Sequence, residues 1–138
     1  MKDSLRPGLV HTARIRVDNG RTVGFMGPEG RVYGTPYMIL DIEHTCRDLI
    51  LQHADAGEDS VGTEVSIRHL AATLLDSTVE ITVSVTAVER RSVRFEVSAK
   101  DELDQICSGT HGRFVVDKSK TFERLKAKAI KRAALVKS

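Results

Sequence analysis

Met38-Ile39-Leu40-Asp41-Ile42-Glu43-His44-Thr45-Cys46-Arg47-Asp48-Leu49-Ile50 is the stretch on which the reading of the fold turns. Ile39, Ile42, Cys46, Leu49 and Ile50 return at helical spacing, while Asp41, His44, Arg47 and Asp48 fall on the other side. That period predicts an amphipathic helix from about Pro36 to Gln52, buried along one stripe. Glu43 breaks the pattern: four residues after Ile39 and three before Cys46, it points with the apolar residues. A carboxylate there is costly unless paired, hydrogen-bonded or protonated. Two readings stand at this point. One is a stripe-edge residue or a structural hydrogen bond; the other is a carboxylate held for acid–base or nucleophilic chemistry.

Outward from the helix the period changes. Leu9 to Val17 alternates and predicts a strand ending at the turn Asp18-Asn19-Gly20. Thr22 to Tyr37 is rich in glycine and holds Pro28 and Pro36, so it is expected to be irregular. Pro36 suits the first helical position, with Thr35 as N-cap. After the helix, Ser60–Leu70, Thr78–Arg90, Ser92–Lys100 and Asp104–Val116 read as four strands in meander, rich in β-branched residues. Lys118 to Val136 predicts a closing helix whose stripe, from Phe122 through Leu125, Ala129 and Ile130, would dock on the body. The fold class is α+β, a curved antiparallel sheet around one long central helix with an additional C-terminal helix.

The 138 residues, 41% hydrophobic and 29% charged, suit a single globular domain over 1–138. No stretch approaches the roughly 20 apolar residues of a membrane span, and the first residues lack a signal-peptide core, so the cytoplasm is expected. Cys46 and Cys107 read as small buried hydrophobes of a reducing compartment. No metal-ligand spacing occurs, so no metal site is expected. Residues 117–138 carry a net charge of +6 and the remainder −4. The basic run reads as a solvated helix face rather than a nucleic-acid arm, since only 4% of residues are aromatic and none interleaves with Lys or Arg as base stacking requires.

Gly34-Thr35 opens the helix, Glu43 lies two turns further in, and His69 closes the next strand beside Ala71 and Ala72. Hydroxyl, carboxylate and imidazole are the parts of an acyl-transfer site. Taken singly, Thr35 also reads as a cap and His69 as a strand-end histidine bonded to backbone.

Gly34-Thr35, Glu43, Ser60-Val61-Gly62-Thr63, His69-Leu70-Ala71-Ala72-Thr73 and Gly109-Thr110-His111-Gly112-Arg113, in this order and spacing, resemble the hot-dog-fold thioesterases of the fluoroacetyl-CoA thioesterase type. The resemblance implies a hot-dog fold and hydrolysis of an acyl-CoA thioester. It implies a catalytic triad of Thr35, Glu43 and His69, with Gly62 at the acyl carbonyl and Arg113 near the substrate. It assigns His111 no role. It implies no cofactor, coenzyme A being part of the substrate, and a homodimer with the site between subunits, with a tetramer left open. The family's fluoroacetyl-specific enzyme carries lid phenylalanines before the helix. Met26 to Tyr33 has none, so a different small or medium acyl group is expected. A non-catalytic acyl-CoA-binding or sensing module using the same pocket is the alternative.

Overall fold

The computed structural model describes residues 1–136. Helix α1 spans Thr35–Leu51, one residue earlier at each end than the period predicts. Strands β1 (Val10–Arg16), β4 (Glu58–His69), β5 (Thr78–Glu89), β6 (Ser92–Lys100) and β7 (Gln105–Asp117) form one antiparallel sheet. Two-residue strands β2 (Thr22–Val23) and β3 (Val32–Tyr33) pair with each other within the irregular segment. Helix α2 spans Lys118–Val136.

The sheet order is β1-β5-β6-β7-β4, which corrects the expected four-strand meander. Only β5, β6 and β7 follow as hairpins; β4 lies at the edge opposite β1. The eight residues between β4 and β5, Leu70 to Ser77, exceed a hairpin turn. They cross the sheet and are held on the way. Tyr33 N–H donates to the Thr73 carbonyl at 2.9 Å, and Asp76 N–H to that of Val17 at 2.8 Å.

The core follows from the two periods. Met38, Ile42, Cys46, Leu49 and Ile50 of α1 form one buried cluster with Val79, Ile81, Val83 and Val85 of β5 and with Val93, Phe95 and Val97 of β6. Each such aliphatic side chain contributes about 1.5–3 kcal/mol through burial. Asp41 departs from the expectation of a polar outer face, for it is 4% exposed. The physical reason is a complete set of partners. Tyr33 donates its hydroxyl to Asp41 Oδ2 at 2.5 Å, and the Arg21 guanidinium donates to both carboxylate oxygens at 3.0 and 3.3 Å.

Helix α2 also departs from expectation. None of its residues is buried, so the stripe does not dock on the body, and Phe122 is 57% exposed. Strand β7 runs into α2 without a turn, and Asp117 caps the junction by accepting from the Ser119 and Lys120 N–H groups. With no connecting loop the helix continues away from the sheet. No described helix is long and apolar enough to cross a membrane. Both cysteines are buried and free, as read.

Candidate active site

The N-terminal end of α1 meets the last residue of β4. Gly34 is the N-cap, in extended conformation, and no side chain caps the helix. Thr35 is therefore the first helical residue rather than the cap, and its hydroxyl is turned elsewhere. Its Oγ1 lies 2.7 Å from His69 Nδ1. The other ring nitrogen, Nε2, is buried and has no hydrogen-bond partner. A buried polar atom left open in this way marks a place for a ligand group or water. Burial holds the His69 pKa below the ordinary imidazole value, so the ring is neutral near pH 7. The pair lines an open pocket of about 620 Å³, walled by Val23, Phe25, Val32, Leu70 and Ala72.

Glu43 stands on the same helix but in another place. Its carboxylate is 33% exposed, at the edge of the buried stripe. It lies against β4 at Gly62, where any Cβ would run into Glu43 Oε1. The glycine leaves the room that this carboxylate takes up, and an added Cβ would push the end of the Glu43 side chain aside. Arg113 Nη1 is 3.5 Å from Oε1, and His111 Nε2 is 4.0 Å away. Arg113 itself is buried. It donates from Nε to Ser60 Oγ and from Nη2 to the Ser60 carbonyl, each at 2.8 Å. It therefore addresses Glu43 and β4 rather than solvent.

Within the chain, then, Thr35 and His69 are brought together, as are Glu43, Gly62 and Arg113. The two groups are separate. The eight residue steps along the helix from Thr35 to Glu43 amount to a rise of about 12 Å. Ser60 and His111 were not singled out by sequence. His111 and Arg113 share the parity of Cys107 and Val115 on β7, so two polar side chains on an inward face were the available signal. Burial pushes the thiols up, Cys46 to about 12 and Cys107 to about 11, which leaves no thiolate for nucleophilic work. Among the described residues no group of three His, Cys, Asp or Glu is placed to hold a metal.

Comparison with known proteins adds the family. Residues 17–119 match the model of the FlK family, described as fluoroacetyl-CoA-specific thioesterase. The chain belongs to that family. The fluoroacetyl-CoA thioesterase of Streptantibioticus cattleyicolor is 33% identical over 135 residues, covering 93% of this chain and 97% of its own. The crystal structure of a single-substitution variant of the fluoroacetyl-CoA-specific thioesterase FlK superposes with a TM-score of 0.83 at 33% identity, over 92% of this chain and 99% of that one. A Thermus thermophilus hypothetical protein, described as a thioesterase superfamily member, gives 0.81 at 30% identity over 91% and 96%. The architecture is thus the hot-dog fold, and the chain is a thioester hydrolase of the acyl-CoA thioesterase class.

Proposed function

We propose that this chain hydrolyses the thioester of a small or medium acyl-CoA with Thr35, His69 and Glu43, and that the working site forms between two copies. The carrying observation is the Thr35–His69 pair, which lines a largely apolar pocket and leaves the buried His69 Nε2 without a partner. The thioester carbonyl would sit there, with neutral His69 donating a hydrogen bond that polarises it, and the departing CoA thiolate takes its proton from solvent. Backbone N–H groups at the start of α1 or at Gly62 would stabilise the oxyanion, a contribution typically worth about 10²–10³ in rate. Glu43 either attacks the carbonyl carbon, giving an anhydride that water then opens, or takes the proton from an attacking water. Rapid-quench mass spectrometry separates the routes: an acyl adduct on Glu43 identifies the first, and its absence during turnover the second. No cofactor enters either route, since coenzyme A belongs to the substrate.

The separation of Glu43 from Thr35 and His69 supports the dimer. Strand β4 is an edge strand whose residues 61–66 are exposed, Val61 and Val65 included. Such an edge invites pairing with another strand. Two copies paired antiparallel along β4 would lay the Gly62 end of one beside the His69 end of the other. The Thr35–His69 pair would then face the partner's Glu43. Two buried free thiols suit the reducing cytoplasm as the place of reaction.

The acyl preference rests on the segment over the pocket. Phe25, 90% exposed, is the aromatic residue there besides Tyr33, which is engaged with Asp41. Phe25 forms part of the pocket wall but at 90% exposure does not cover its opening, which favours an acyl group bulkier than fluoroacetyl. Arg68, exposed beside His69, is the candidate contact for the CoA phosphates.

The test is thiol release from a panel of acyl-CoAs, short to medium, aryl and halogenated, with binding measured in parallel. Turnover of some member, stronger than that of fluoroacetyl-CoA, is the expected result. Tight binding without turnover of any member would contradict hydrolysis and favour an acyl-CoA sensor.

A further inference from the structure

His111 is the most deeply buried histidine, 1% exposed, and both of its ring nitrogens are committed. Nδ1 lies 2.7 Å from the Glu64 carbonyl oxygen. A carbonyl only accepts, so Nδ1 carries the hydrogen. Nε2 lies 3.2 Å from Arg113 Nη1, and a guanidinium only donates, so Nε2 presents its lone pair. The two partners together admit one form of the ring, neutral and protonated on Nδ1.

The surroundings explain how this is built. The β4–β7 register shifts between Gly62 and Glu64, a bulge of the kind that re-aims backbone and side chains beside a site. The Glu64 carbonyl next to that bulge meets His111. From β6 the Phe95 ring stacks on the imidazole, centroids 6.4 Å apart. Arg113 comes from β7 and Glu43 from α1, and these are the charged groups that face the ring. Arg113 Nη1 touches both His111 Nε2, at 3.2 Å, and Glu43 Oε1, at 3.5 Å, those two atoms lying 4.0 Å apart, while its Nε and Nη2 are anchored on Ser60.

We propose that His111 is a positioning residue: its neutral Nδ1–H form fixes Arg113 Nη1, and Arg113 in turn holds the Glu43 carboxylate over Gly62 in working orientation. The inference rests on the reading in which Glu43 acts on the thioester. Protonation would convert Nε2 into a donor, expel Arg113 and aim the imidazolium at Glu43. Burial, and then the Arg113 charge, keep the His111 pKa low and oppose that switch.

Three readouts test the relay. In ¹⁵N-labelled wild-type protein at pH 7, imidazole spectra are expected to show His111 neutral with the hydrogen on Nδ1; an Nε2–H or doubly protonated ring would overturn the proposal. The two Hη1 protons of Arg113 are expected to be resolved in wild type and in His111→Gln, whose amide can both donate and accept. They are expected to average in His111→Phe, which keeps the stacking on Phe95 and loses both bonds. In turnover, His111→Phe is expected to lower kcat by up to about 10²-fold with little change in KM, the scale of a misplaced catalytic group. His111→Gln is expected to recover most of that loss. Unchanged Arg113 signals and kcat in His111→Phe would overturn the proposal, as would equal losses in both variants that follow their melting temperatures. Absence of wild-type turnover across the acyl-CoA panel would count against the thioesterase reading alone, because the spectra still report whether His111 holds Arg113.

Discussion

Glu43 is held by what is missing opposite it. Gly62 leaves the space its carboxylate occupies, and an alanine there would place a methyl group on Oε1. Gly62 lies in the β4 ladder opposite Arg113, where an alanine is tolerated by the backbone itself. Gly62→Ala is therefore expected to cut kcat by about 10²-fold, the cost of roughly an ångström of misplacement, while the melting temperature stays near that of wild type. Steady-state kinetics beside a thermal melt check this; full activity would show that Glu43 has no fixed place to lose. At His69 the prediction concerns pH. Burial lowers its pKa, so the neutral ring is retained through the ordinary value of 6.5 and is lost only as pH falls through the lowered one. The kcat/KM profile is expected to stay level from pH 7.5 past 6.5 and to decline below it. A decline centred above 6.5 would contradict a neutral, desolvated imidazole.

At the scale of elements, α1 ties the irregular segment before it to the core. Asp41 accepts from Tyr33, inside that segment, and from Arg21, just before it. Breaking a fully buried pair costs about 3–5 kcal/mol; Arg21 is a third exposed, so Asp41→Ala is expected to cost about 2–3 kcal/mol in urea denaturation. A loss below about 0.5 kcal/mol, typical of a surface change, would contradict the tie. Helix α2 makes the opposite case. It buries nothing, so removing residues 121–138 is expected to leave the melting temperature nearly unchanged, checked by calorimetry. The same contrast governs what was legible in the sequence. Helix α1 and strands β5 to β7 were legible because they bury one face against one core, and burial writes a period into the chain. Asp41 was not, because its partners lie in a segment without period and a buried ion pair looks like a surface charge. The place of β4 was not legible either, since alternation is the same whether a strand pairs with β5 or β7. For α2 the stripe was visible, but its lack of a docking surface follows from the continuous junction at Asp117. Glu43 was legible because a charge on an apolar stripe contradicts the pattern. His111 carried the same contradiction on β7, between the glycines Gly109 and Gly112, and was given no role.

At the scale of the whole molecule, a single chain holds the three proposed residues in two separate places. Thr35 and His69 sit at one end of β4 and Glu43 lies over the other, with about 12 Å of helix between Thr35 and Glu43. The exposed edge of β4 is where a second copy would complete the constellation. The proposed chemistry requires the two groups to work together across subunits. Subunit complementation asks this directly: Glu43→Ala and His69→Ala proteins are prepared separately, dissociated, mixed and reassociated, then assayed for thiol release from the best acyl-CoA. Each parent is expected to be nearly inactive, and the mixture to regain about a quarter of wild-type activity. Random pairing makes half of the dimers mixed, and each mixed dimer holds one intact site of two. A mixture that exchanges subunits and remains as inactive as its parents would contradict a site shared between two copies.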